Sequence, residues 1–132
     1  MKLKGERGTA TLELALVTPA LMLLVLGLLQ FGLWYHAEHV ARTAAIEAAR
    51  VAGAENGTED AARGRADEVL SAGLGNAADG VSVSVSADGD SARAVVTASL
   101  RGLLPIPGLS EFRLHGEASS YRERFRPAGE EP

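Results

Sequence analysis

A single carboxylate, Glu13, stands at the start of the longest apolar stretch of the chain. From Leu14 to Tyr35 the sequence carries no charge and is dominated by leucine and valine. These residues, about 22 of them, would extend roughly 33 Å as an α-helix, enough to cross a bilayer core of about 30 Å. A carboxylate at this boundary costs free energy unless it is hydrated or paired. Glu13 is therefore a candidate for recognition or charge pairing, and a hydrated interfacial residue without consequence is the alternative.

The remaining polar side chains do not assemble into a catalytic or metal site. His36 and His39 lie three residues apart with Glu38 between them, but a third ligand is not evident, so solvation at the membrane interface explains them better. Asp88 and Asp90 bracket a glycine and are explained by a hairpin turn rather than by calcium binding. The sequence has no cysteine, no phosphate-binding loop and no nucleophile elbow. We therefore expect no metal, no cofactor and no enzymatic activity.

The distribution of charge predicts the orientation of the apolar stretch. The chain of 132 residues has a formal net charge of −4, yet Lys2, Lys4 and Arg7 all precede the apolar stretch. Lysine and arginine beside a membrane helix stay on the cytoplasmic side, so the N-terminus is expected inside and the C-terminal portion outside. The acidic remainder argues against a nucleic-acid partner.

A long helix is predicted to continue beyond the apolar stretch. Residues 37–52 are rich in alanine and free of glycine and proline, and Gly53 and the Asn56-Gly57 step indicate the end of the helix. Pro19 removes a backbone donor and predicts a kink, with the hydroxyl of Thr18 available to a freed carbonyl. Six small residues form a stripe that is expected to pack on another helix or on a sheet of the same domain: Ala37, Ala41, Ala44, Ala45, Ala48 and Ala52.

The remainder of the chain predicts a short helix followed by strands. Thr58 is a candidate N-cap for a helix that runs to about Ser71, with Gly73 as its C-cap. Three segments alternate with the period of two that is typical of strands. Their expected inward residues are Val81, Val83 and Val85, then Ala94, Val96, Ala98 and Leu100, then Phe112, Leu114 and Ala118.

These elements define an α+β fold class with a pilin-like layout. It comprises a long N-terminal helix, a short second helix and a small three-stranded antiparallel sheet. Residues 103–108 contain two prolines and are expected to form a loop, and the third strand is expected to end near Arg122. Residues 126–132 are expected to form a disordered tail.

The segment from Gly8 to Pro19, Gly-Thr-Ala-Thr-Leu-Glu-Leu-Ala-Leu-Val-Thr-Pro, resembles the start of the TadE-like minor pseudopilins of tight-adherence (Tad) pili. The resemblance extends through residues 30–32 and 41–50 and is weaker at 103–108 and 116–119. Residues 55–90 carry no family signal. Ala15 stands where the family usually has phenylalanine two positions after the glutamate.

The resemblance implies processing and assembly roles for three residues. In type IV prepilins and pseudopilins a short basic leader ends in glycine, and glutamate is the fifth mature residue. Gly8 would then end the leader, Thr9 would begin the mature protein, and Glu13 would pair with the N-terminal amine of a neighbouring subunit. The implied partners are the membrane, a prepilin peptidase, other pilins or pseudopilins, and the inner-membrane assembly platform.

The corresponding domain organisation has four parts. Residues 1–8 are expected to form the leader, 9–54 the transmembrane helix and its soluble extension, 55–125 a small extracytoplasmic α+β domain, and 126–132 the tail. The resemblance predicts a minor pseudopilin-like subunit for the assembly of Tad (type IVc-like) pili, processed after Gly8 and anchored by its N-terminal helix. The alternative function is an unprocessed single-pass membrane protein with a small extracytoplasmic binding domain. A secretory signal peptide fits poorly, because the apolar stretch exceeds an ordinary signal core and no small-residue cleavage site closes it.

Overall fold

The computed structural model describes residues 4–102 and 110–122, with the backbone alone for residues 4–7. Helix α1 spans Lys4–Gly53 and helix α2 spans Glu59–Leu74, followed by one 3₁₀ turn, Gly75–Ala77. Strands β1 (Ala78–Asp88), β2 (Ser91–Arg101) and β3 (Glu111–Tyr121) form one antiparallel sheet in the order β1-β2-β3. The predicted α+β class is confirmed. The predicted loop at 103–108 and tail at 126–132 lie outside the described residues.

The chain divides into two compact units, Met1–Leu33 and Trp34–Pro132. In the described part of the first unit every apolar side chain from Leu12 onward is exposed or partly exposed within the chain. Among the described residues, one helix is long and apolar enough to cross a membrane, judged by length and composition. The domain boundaries expected from the sequence stay a prediction.

In the second unit the alanine stripe of α1 packs on the domain's own sheet and on α2. All six alanines of the stripe are buried, as is Ala49. A Cβ atom added at Gly116 of β3 would lie 2.3 Å from the carbonyl oxygen of Ala41, so the two backbones are in direct contact. Helix α2 packs against β1 and contributes Ala62, Ala66 and Leu70 to the same core. The expectation that the stripe is a packing surface is confirmed, with the domain itself as its partner.

The start of α2 agrees with the sequence prediction and its end does not. The hydroxyl oxygen of Thr58 accepts a hydrogen bond from the amide of Ala61 at 3.1 Å, as an N-cap should. The predicted end near Ser71 with Gly73 as C-cap is wrong, because α2 continues to Leu74 and Gly75 forms the cap with φ +54°. Gly73 is helical and instead allows α1 to approach, since a Cβ there would lie 2.6 Å from Val40 Cγ1.

The sheet follows the predicted alternation except near the start of β1. In β2 the residues Ala94, Val96, Ala98 and Leu100 are buried as expected. Gly80 has φ +61° and the register shifts between Asp79 and Ser82, which is a β-bulge. Val81 is consequently 41% exposed, so its predicted place beside Val83 and Val85 on the core face is wrong.

The β1–β2 connection is the predicted tight hairpin. Asp88 pairs with Ser91 across a loop of two residues, and Gly89 at its first position has φ +54°. A left-handed glycine at the first loop position is typical of the II′ turn that joins twisted antiparallel strands.

Candidate processing and assembly segment

Gly8 and Thr9 lie inside α1 rather than before it. The helix begins at Lys4, so at least one helical turn precedes the Gly8–Thr9 peptide bond. Gly8 is exposed, and no described atom outside the local helix backbone lies within 4 Å of the Cβ that a larger residue would add there. The bond is therefore sterically open but helical, and a peptidase that binds extended chain must first unwind it.

Glu13 lies one helical turn beyond Thr9 and on the same face of α1, since residues four apart are neighbours on a helix surface. Its side chain is exposed among exposed leucines, with Leu12 at 69% and Leu14 at 66%. Within the part of the chain that the structure describes, no basic side chain forms an ion pair with Glu13. The carboxylate is therefore presented on an apolar surface that the described part of the chain does not cover.

Pro19 is accommodated within the assigned helix. The hydroxyl of Thr18 donates a hydrogen bond to the carbonyl oxygen of Leu14 at 2.7 Å. The carbonyl that loses its partner at Pro19 belongs to Ala15, because helical bonds run from residue i to i−4. The expected bond from Thr18 to a freed carbonyl is therefore wrong, since the hydroxyl shares the acceptor of its own backbone amide. The kink at Pro19 stays a prediction.

A cleft of about 600 Å³ is lined by residues of α1 and α2 in the second unit. His36 and His39 line it on the α1 side, and Arg65 and Glu68 line it on the α2 side. The ring Nε2 of His36 lies 3.4 Å from the carbonyl oxygen of Gly73, and the ring of His39 stacks on Tyr35 with 6.4 Å between centroids. No group of three histidine or acidic side chains suited to a metal ion occurs among the described residues.

Among the described residues, one charged contact joins the two helices. Arg65 of α2 contacts Glu47 of α1 at 3.6 Å and Glu68 of its own helix at 2.9 Å. The hydrogen bond to Glu68 is the main cause that raises the pKa of Arg65, and the charge of Glu47 adds to it. On α1 itself Arg42 pairs with Glu38 at 2.6 Å, one turn apart. The interhelical contact of Arg65 was missed by sequence reasoning, because a local charge pattern does not indicate which distant helix face it meets.

One long exposed apolar helix, joined in sequence to a small α+β domain, indicates the class of a membrane-associated α+β protein. The described residues offer an exposed glycine and an exposed carboxylate five positions apart near the start of that helix, and no metal-ligand cluster.

The comparison with protein families agrees with this class. A family model described as TadE-like protein matches residues 8–50, which begin at Gly8 and cover most of α1. The resemblance to the TadE-like family, a structural family associated with Tad pili, is therefore confirmed for this segment. No curated protein and no solved structure matches the chain.

Proposed function

We propose that the chain is a minor pseudopilin-like subunit for the assembly of Tad pili. The observation that carries the proposal is the TadE-like match over residues 8–50, which coincides with the exposed apolar helix. In this proposal the basic N-terminus stays in the cytoplasm, the apolar stretch spans the membrane, and the α+β domain lies outside. The chain is then a substrate of a prepilin peptidase and a building block rather than an enzyme.

The proposed processing step is hydrolysis of the peptide bond between Gly8 and Thr9. The open space around Gly8 and the low helix propensity of glycine support it, because unwinding a turn at glycine costs about 1 kcal/mol less than at alanine. Cleavage would create an ammonium group at Thr9, about one turn from Glu13. The ammonium group of Thr9 in a neighbouring subunit would pair with Glu13. A carboxylate on an apolar surface requires such a partner.

The test is the mass of the full chain extracted from membranes of cells that contain the prepilin peptidase. We expect a mature N-terminus at Thr9, which an intact Met1 or a cut beyond Trp34 would contradict. Gly8→Leu should leave the leader attached. Gly5→Ala is the matched control, since it alters a glycine of the same leader away from the bond and should be processed normally. An unchanged amount of processed Gly8→Leu protein would refute the cleavage position.

The same measurement separates the proposal from the unprocessed single-pass protein. A chain that keeps its leader in cells with an active peptidase, while remaining in the membrane fraction, would be an anchored binding domain. A chain processed at Thr9 that then fails to join other pilins would keep the processing step and overturn the assembly role.

A further inference from the structure

The outer edge of β1 is long, and it is free of charge between its two ends. β1 is an edge strand of the sheet and covers Ala78–Asp88. Between Asp79 and Asp88 it contains no charged side chain and no proline. Within residues 4–102 and 110–122, no strand pairs with this outer edge. Unpaired backbone groups on a long uncharged strand form a template for another strand.

The opposite edge of the sheet is protected in the usual way. Along the exposed face of β3, charged or titratable side chains occur at every second position: Glu111, Arg113, His115 and Glu117. Charges on an edge strand oppose pairing with other chains, and β1 lacks them between Asp79 and Asp88. The bulge of β1 lies at Gly80 and Val81, so the segment 82–88 keeps regular pairing with β2. The two edges are therefore not equivalent.

We propose that the outer edge of β1 binds an extended segment of a partner polypeptide by β-strand addition. Alternate residues of an antiparallel strand direct both N–H and C=O to the same side, so about three or four residues of 81–87 offer both groups to an added strand. One face of that edge presents Ser82, Ser84 and Ser86. The core face presents Val83 and Val85. A fitting segment alternates hydroxyl-bearing residues with β-branched ones.

Charge at the two ends of the edge specifies the partner further. Asp79 contacts Arg101 at 3.2 Å, so its carboxylate is already partly neutralised. Asp88 is exposed and forms no ion pair with the described residues. The fitting segment therefore carries a lysine or arginine where it passes Asp88. Asp88 would repel an acidic segment, and so would the net charge of −4 of the whole chain.

A second copy of this chain fits less well. The segment 81–87 is almost symmetrical about Ser84, so two β1 strands could pair antiparallel in register. In that pairing Asp88 of each copy lies opposite Gly80 and next to Asp79 of the other copy, so acidic side chains meet at both ends of the shared edge. Like charges placed side by side oppose such an association. A different polypeptide is therefore the occupant, and self-pairing is an outcome that the test must exclude.

The test uses the full chain in detergent micelles and amide hydrogen exchange followed by mass spectrometry. The probe is a synthetic peptide of alternating threonine and valine with lysine at each end. At about nine-tenths occupancy, exchange at residues 81–87 should slow roughly tenfold, while exchange at 111–121 should not change. The control peptide is N-methylated at every second amide, which removes donors on one edge and should abolish the effect.

Two variants locate the contact on β1. Ser84→Lys places a charge on the exposed face of the edge and should reduce the slowing to less than about twofold. Ser119→Lys makes the same change on the exposed face of β3 and should leave the slowing intact. Absence of protection at saturating peptide would overturn the proposal, as would equal protection by the N-methylated peptide or protection at β3. Concentration-dependent protection without peptide would assign the edge to a second copy and overturn it equally.

Discussion

Gly116 sets the distance between α1 and the sheet, and Gly116→Ala should disrupt that contact. The added Cβ would lie 2.3 Å from the carbonyl oxygen of Ala41 and 2.6 Å from its carbonyl carbon. Both are backbone atoms, so a rotamer change cannot relieve the overlap. Carbon atoms pack favourably at about 3.5–4.0 Å, which requires α1 to move away from β3 by about 1 Å. That movement loosens the whole row of buried alanines.

The expected loss is about 3 kcal/mol in the free energy of opening of the sheet. Overpacking alone costs about 1–3 kcal/mol, and the looser packing of the alanines along α1 places this site at the upper end. The assay is amide exchange of β2 in the full chain in micelles, where this loss corresponds to exchange about a hundredfold faster.

Gly64→Ala is the matched control for this change. Gly64 lies in the interior of α2 with open space around its position, so alanine should stabilise the helix by up to about 1 kcal/mol. Exchange of β2 within about twofold of the parent protein in Gly116→Ala would refute the argument. So would equal acceleration by both substitutions, because that result would not depend on the contact with Ala41.

Two further predictions concern the carboxylate and the contact between the helices. Glu13→Gln should preserve processing but reduce co-purification with other pilins at least tenfold, because the neutral amide cannot pair with an ammonium group. The control is Glu6→Gln, which changes a residue of the proposed leader and should have no effect. Normal piliation of Glu13→Gln would exclude the assembly role. Gly73→Ala should destabilise the second unit by about 1–2 kcal/mol, because its Cβ would lie 2.6 Å and 2.8 Å from the methyl groups of Val40. Adding Val40→Ala should recover part of that loss in amide exchange of α2, and strict additivity of the two changes would contradict direct contact.

Local signals were sufficient to predict the helix ends that depend on capping. Thr58 has the side chain that caps a helix, and the glycine at 53 closes the alanine-rich segment, so both boundaries could be read from neighbouring residues. Alternation likewise predicted the core face of β2 and the inward position of Leu114. In each case the physical cause lies within a few residues of the feature.

Errors arose where a glycine serves a distant contact or changes the strand register. Gly73 resembles a C-cap, but Val40, more than thirty positions away, explains why glycine is required there. Gly80 shifts Val81 out of the alternating row through a left-handed φ that the valine-serine pattern does not indicate. The close approach of Gly116 to Ala41 could not be predicted either, because it depends on which helix covers β3.

The burial of the alanine stripe restricts how the proposed pilus subunit can meet its neighbours. Ala41, Ala44, Ala45 and Ala48 are each 0% exposed, because α2 and the sheet of the same chain already cover them. A second helix therefore cannot use this close-packing surface unless the domain opens, which costs much of its small core. In the described part of the chain, the large apolar surface still exposed is that of residues 12–33. Contacts with further copies of the chain should accordingly come from that apolar helix. Alanine-to-leucine changes in the stripe should unfold the domain before they affect assembly alone.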